Sequence, residues 1–473
     1  MDTTNDHGEF SAERKRMPEE TYWVSAAQPS SEATYIFAPA DRSAVPAFTV
    51  NRLFFFRRPL AVQPLLAALE RVLSRVPLLA GRAREGNRLE ASNEGVPVVT
   101  ARSACAGSEL GRGSSLLARE RPGDPCPFAE TLDAARVDAG LEAVLAIRLT
   151  TFADDACCLA FSFWHGLFDG GASAAFCKAL AAATRGEPFE LSLPTVAPTT
   201  PPPHAQPTGF RLLPPPPAEA APVVEAPAEA WARSESVHFG KNELTAMKGR
   251  CARGGADPRI STHDALIAHV WRLVHNLPGR AAPSPASFVV DCRRRLPASQ
   301  LGMTALGNHH LNLNTPDVDV GQLGEGHLAG LLRALNTACT EDVVRASNAW
   351  LHGMRVEGLL DRVVPGARHV AVSGPSALFI TTDWRCDAYA LEFGGGAPFW
   401  VHGWLSAPSG ALPVDNLLIV HDAPPAEGGM DITLQLGGHA TADEAEAAWD
   451  AFRAALALLR ASLTAPSATA QSA

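Results

Sequence analysis

Proline sets the first limit on what this chain can fold into. Residues 191–229 include the run "APTTPPPHAQPTGFRLLPPPPAEAAP", and nothing else in the sequence has that density of proline. Proline fixes φ and has no N–H to donate, so the segment is predicted to be extended and without regular structure. It cuts a 473-residue sequence into two stretches of similar size. A chain this long exceeds what one small core serves, and two domains of roughly 200 residues each are expected. The expected division is a disordered tail over 1–20, one domain over 21–190, a proline-rich linker over 191–230 and a second domain over 231–473.

Each half mixes strand and helix signals, an α/β pattern. "TVNRLFFFRRPL" reads as a strand, after which Leu65, Leu66, Leu69, Val72 and Leu73 recur at helical spacing. "LEASNEGVPVVTA" suggests a strand, a turn at Asn93–Gly95 and another strand. "AVLAIRLTTFADDACCLAFSFWH" reads as two strands joined at Ala153–Asp155, and "ASAAFCKALAAATRG" as a helix stopped by Gly186. In the second half "ISTHDALIAHVWRLVH" is a helix with Ser261 or Thr262 as its N-cap. Strand "ASFVVDC" precedes the basic turn "RRRLP". Strands near Ser376–Thr382 and Phe399–Leu405 and a closing amphipathic helix follow, and no internal repeat is evident.

Forty basic against fifty acidic residues leave a net charge of −10. Nucleic acid and anionic membranes need basic patches, so neither is the expected partner. No apolar run approaches the roughly 20 residues of a membrane span, and the polar N-terminus is unlike a secretory signal. Nine cysteines without repeated spacing argue against a disulfide framework and for a reducing, cytoplasmic setting.

The most unusual choices fall in "FSFWHGLFDGGASAAFCKALA". An apolar strand ends at His165, Asp169 stands four residues on, and Gly170 and Gly171 open a helix. A histidine at a strand end projects into a cleft as a general base, or is a satisfied structural residue; the glycines permit a sharp turn and close approach of a substrate. Other constellations are weaker. The serine in "GGASAAF" lacks the second glycine of a hydrolase elbow. His309–His310 could ligate a metal, but neighbours in a strand point to opposite faces, which favours structure. "EFGGGAP" matches neither the dinucleotide nor the Walker pattern and reads as a tight structural loop.

Together these segments resemble the BAHD-type acyltransferases, from about residue 30 to 460. "LLAGRARE", "NRLEASNEGVPVVTA", "HGLFDGG" as H-x-x-x-D-G, "ISTHDALIAHVWR", "VVDCRRRLP" with "LGN", and "TTDWRCDAYALEFGGGAP" stand in family order. Two departures are visible. Glu392-Phe393-Gly394-Gly395-Gly396 replaces the family's Asp-Phe-Gly-Trp-Gly, and Trp164 precedes His165 where a small or polar residue is common.

The resemblance implies two chloramphenicol-acetyltransferase-like domains with mixed sheets, flanking helices and an active-site channel between them. It implies a monomer with no tightly bound cofactor and no metal, using acyl-CoA as co-substrate and a small-molecule alcohol or amine as acceptor. His165 would be the base, with Gly170 beside it. Asp169 would pair structurally with Arg293, or second with Arg295, and Glu392 would take the remaining basic partner; a His–Asp relay is the alternative. Ser261, Thr382 and Trp384 would touch the coenzyme, or in the case of Trp384 pack in the core, and Gly394 and Gly396 would shape a structural loop. Condensation domains share H-x-x-x-D-G but usually carry a second histidine where Trp164 stands. A non-catalytic acyl-CoA-binding member is the third reading.

Overall fold

The computed structural model describes residues 19–28, 33–43, 48–85, 87–112, 114, 125–194, 206–207, 209–215, 231–254, 259–280, 283–365, 376–382, 386–406 and 414–464. Trp384, the first 18 residues and most of the proline-rich segment lie outside them.

Two six-stranded sheets organise the molecule. The first contains β1 (Glu20–Val24), β2 (Thr49–Phe56), β3 (Val96–Arg102), β4 (Leu145–Thr151) and β5 (Cys157–Trp164). The second contains β6 (Trp231–Phe239), β7 (Ala286–Asp291), β8 (His310–Asn314), β9 (Leu378–Thr382), β11 (Leu417–Asp422) and β12 (Met430–His439). The remaining strand, β10 (Trp400–Ser406), comes from the second half of the sequence yet pairs antiparallel with β2. The first sheet therefore runs β1-β3-β4-β5-β2-β10 and the second β6-β12-β11-β9-β7-β8.

Strands β2 and β5 are buried at every position, as their continuous apolar runs require when both faces of a sheet are covered. One face meets α2 (Val62–Arg75), which buries Leu65, Leu69, Val72 and Leu73 along a single stripe. Leu66, expected in that stripe, is only half-buried. Beside α2 lies α3 (Gly170–Thr184), Ala-rich and buried on most of its surface. The opposite face carries Phe55, Trp400 and Trp404 and packs on Phe128 and Phe152. The second core centres on α5 (Thr262–His275), whose Trp271 is fully buried and donates Nε1–H to Ser284 Oγ at 3.0 Å. Around it stand α4 (Lys241–Arg253), α6 (Glu325–Ala338), α7 (Glu341–Val356) and the closing α8 (Ala442–Thr464).

The halves meet along more than β10. Phe168 forms a parallel bridge with Gly307, and Ser192 with Ala305. Arg112 reaches Asp431 at 2.8 Å and Glu427 at 2.9 Å. These junctions bring the end of β5 against the segment that follows β7.

Candidate active site

His165 leaves the end of β5 with its backbone held from both halves. Its N–H donates to the Phe48 carbonyl at 2.9 Å, and its carbonyl accepts from Asn308 Nδ2 at 2.9 Å. Glycine follows at 166 because a Cβ there would lie 2.3 Å from the Trp164 ring. The His165 side chain is half-buried. Its Nδ1 is buried without a hydrogen bond, whereas Nε2 is neither buried nor bonded among the described residues. Burial, and then the His310 imidazole 5.9 Å away, push the His165 pKa down to about 4, against weaker pulls from its own carbonyl, Asp169 and Asn308. The ring is therefore neutral at pH 7, with a lone pair free on the accessible side when the proton sits on Nδ1.

Asp169 spends its carboxylate on groups other than that ring. It caps α3 by accepting Ala172 N–H at 2.7 Å, and accepts His309 N–H at 2.8 Å. Both carboxylate oxygens take Arg293, each at 2.9 Å. Burial pushes the Asp169 carboxyl up, but the Arg293 guanidinium overrides it and holds the group well below the usual carboxylate range. Arg293 is 2% exposed and spends its other donors on Asp291 at 3.1 Å, Ala305 O at 3.0 Å and Gly307 O at 2.9 Å. All five guanidinium donors are satisfied, which is what a buried arginine needs. Gly171 makes room for it: a Cβ there would sit 2.5 Å from Arg293 Nη1. Gly170 starts α3, and its carbonyl accepts from Arg52 Nη2 at 2.8 Å.

The other expected partners separate. Arg295 bonds Asn336 Oδ1 at 2.7 Å and does not meet Glu392, contrary to the expectation that the two would pair. Glu392 is exposed in a loop beside the C-terminal end of α3, where Arg185 donates to its carbonyl at 2.9 Å. The loop's geometry explains the difference. Gly394 and Gly396 have φ of +91° and +88°, which favours glycine and turns the segment back along α3 and Leu60. Ser261 is the N-cap of α5: its Oγ accepts Asp264 N–H at 3.1 Å, and Asp264 reaches back to Ser261 N–H at 2.6 Å. Thr382 ends β9, half-buried, with its hydroxyl 3.4 Å from Val420 O. Trp384 lies outside the described residues.

Two buried groups stand outside the predicted site residues. Asp41, fully buried in the short helix α1 (Pro39–Ser43, ahead of β2 in the chain), accepts Tyr35 Oη and Asn308 N–H, each at 2.8 Å. Asn308 donates Nδ2 to Asp41 at 3.1 Å and to the His165 carbonyl, linking the second half to the base. Its predecessor Gly307, at φ +95°, lets the chain turn between Arg293 and Tyr35. The "LGN" triplet marked Asn308, but nothing around Asp41 marked its burial.

His309 and His310 do not behave as alternating strand neighbours. His309 precedes β8, bonds Leu306 O at 2.9 Å, and is pushed down to about 4 by burial and then Arg293. Both histidines line one cleft of about 650 Å³, part of it open solvent, between the two halves. No cluster of three or more His, Cys, Asp or Glu suited to a metal occurs among the described residues. No helix there is long and apolar enough to cross a membrane.

Known proteins resemble this chain in sequence and in fold. Agmatine hydroxycinnamoyltransferase 1 from Oryza sativa subsp. japonica is 26% identical over 88% of this chain and 93% of its own. The fold is that of vinorine synthase, at TM-score 0.64 and 18% identity over 92% and 96% of the two chains. It is also that of F. graminearum TRI101 in complex with coenzyme A and deoxynivalenol, at TM-score 0.63 and 16% identity over 89% and 97%. The Transferase family profile matches residues 18–440, so the chain belongs to that family, the BAHD acyltransferases, which move acyl groups from coenzyme A thioesters to hydroxyl or amine acceptors.

Proposed function

We propose that His165 is the general base of this acyl transfer, acting through Nε2 in a ternary complex. Acceptor oxygen or nitrogen attacks the thioester carbonyl while Nε2 takes its proton. The tetrahedral intermediate collapses, the C–S bond breaks, and the imidazolium returns the proton to the departing thiolate, giving acylated acceptor and free CoA. No acyl-enzyme forms, because holding both substrates together supplies much of the rate. One observation carries the reading: a neutral imidazole, pinned by backbone bonds from both halves, with only Nε2 accessible.

Asp169, Gly170 and Arg293 hold the turn after His165 and do not relay its proton, since Asp169 has all its bonds to other groups. Ser261, Thr382 and Trp384 contact the coenzyme, with Arg295, Glu392, Gly394 and Gly396 structural. Residues 21–190 and 231–473 are the two domains, joined by 191–230, with β10 of the second crossing over to pair in the sheet of the first, and the protein is a cytoplasmic monomer. The name of the agmatine relative makes amines candidate acceptors beside alcohols. A condensation-type reading finds no second histidine before the base: Trp164 is fully buried, edge-on to Phe37 at 5.5 Å.

Replacing His165 with alanine is expected to cost about 10²–10⁴-fold in turnover without lowering the melting temperature. Full turnover in that variant would end the base assignment.

A further inference from the structure

The cleft beside His165 has walls and a floor of different chemistry. Ala38 and Ala40 from one half face Leu296, Leu301, Val344 and Leu351 from the other, so the body of any occupant is in apolar surroundings. The floor is Asn308–His310. Asn308 is 2% exposed, and both bonds from its Nδ2 go to oxygens, Asp41 Oδ1 and the His165 carbonyl, which ties the floor to the base. His310 keeps Nδ1 on the Asp169 side, 3.7 Å from Oδ2, while its Nε2 is neither buried nor bonded among the described residues. The His310 ring stands 5.9 Å from the His165 ring.

A hydroxyl, donor and acceptor at once, suits a site that offers an imidazole nitrogen in either tautomer. A cationic amine does not. No carboxylate lines the cleft among the described residues, and the charged side chain on its rim is Arg345, held by Glu341 at 2.6 Å and Gln300 at 2.8 Å. The nearby Asp169 charge is already matched by Arg293. An ammonium would enter desolvated, without a counter-ion and facing a guanidinium, and that is the repulsive element a specific site uses.

We propose that this cleft is the acceptor pocket, that it takes a neutral alcohol with an apolar skeleton in preference to a cationic amine, and that His310 is a positioning residue that holds the hydroxyl beside His165. The inference rests on the general-base reading of His165.

The test uses the intact chain with 4-coumaroyl-CoA as donor, and compares 2-phenylethanol with 1,4-diaminobutane by release of free CoA. The alcohol is expected to have the higher kcat/KM, by about tenfold or more. Asn348 lines the cleft, is half-buried and stands outside the catalytic machinery. Asn348→Asp should shift the amine-to-alcohol ratio about tenfold toward the amine, and Asn348→Trp should raise the alcohol KM by a similar factor with acyl-CoA affinity unchanged. His310→Phe should raise the alcohol KM about 10- to 100-fold at constant melting temperature, with partial rescue by His310→Gln. A diamine preferred over the alcohol, or an Asn348→Trp effect on acyl-CoA affinity instead of acceptor KM, overturns the assignment and leaves acyl transfer standing. Absence of His165-dependent CoA release with either acceptor, or with water, ends both readings together.

Discussion

Replacing Asp169 by asparagine strips one charge from a pair sealed between the halves. Each carboxylate oxygen takes two donors: Ala172 N–H and Arg293 Nη2 on Oδ1, His309 N–H and Arg293 Nη1 on Oδ2. An amide has one oxygen, so in either flip its NH₂ faces two donors and half of these bonds are lost. Arg293 keeps Asp291 at 3.1 Å as its remaining carboxylate. Removing one partner of a buried pair costs about 3–5 kcal/mol, and the surviving Asp291 contact puts this case near the lower end, about 3 kcal/mol. The assay is urea unfolding followed by tryptophan fluorescence for Asp169→Asn, Arg293→Met and the double variant. Deleting both partners leaves no unmatched charge, so the double variant should be less destabilised than the sum of the singles by about 2 kcal/mol. The pH dependence has a definite sign. The folded-state carboxyl lies well below its ordinary value, so its stabilisation is complete above the unfolded pKa of about 4 and is lost as pH falls below that. Wild type and Asp169→Asn should therefore converge in stability only in strong acid. Additive single variants would refute the buried-pair reasoning. Unchanged unfolding with abolished turnover would make Asp169 part of a proton relay.

Three further outcomes follow from the same contacts. Gly171→Ala places a Cβ 2.5 Å from Arg293 Nη1 and should destabilise the fold by about 1–3 kcal/mol, read by thermal melting. Gly395→Trp, which restores the family residue, drives a Cβ to 2.6 Å from Leu60 Cδ2; it should lower the melting temperature without raising activity, and Leu60→Ala should recover part of the loss. Ser261→Ala removes an N-cap worth about 1 kcal/mol; the coenzyme contact proposed for Ser261 adds a higher KM for acyl-CoA, whereas a purely structural cap leaves that KM unchanged.

Local patterns made the central strands, the hairpin that delivers His165 and the N-cap choice at Ser261 or Thr262 readable, because each depends on neighbours a few residues away. The Asp169–Arg293 contact joins groups 124 positions apart and came into view only through the family resemblance. Asp41 and Asn308 are 267 positions apart, and nothing within "PADRS" marks a buried group; its carboxylate is met by a distant backbone and amide. The placement of β10 beside β2 has no local signature, since an apolar strand suits either sheet. The pairing expected of Glu392 failed for the same reason: charge type is visible in a sequence, whereas the side of the domain on which a glycine-rich loop lies is not. His309 and His310 were read as strand neighbours, but the strand begins at the second of them, which frees the first to bond back to Leu306.

His165 stays neutral because burial and a second imidazole disfavour its charge. The dependence of kcat/KM on pH measures this in the free enzyme. The acid limb should lie near pH 4, where His165 takes up its proton, with full rate from about pH 5.5 upward. A limb near the ordinary imidazole value of about 6.5 would contradict it, as would an acid limb that survives unchanged in residual His165→Gln activity.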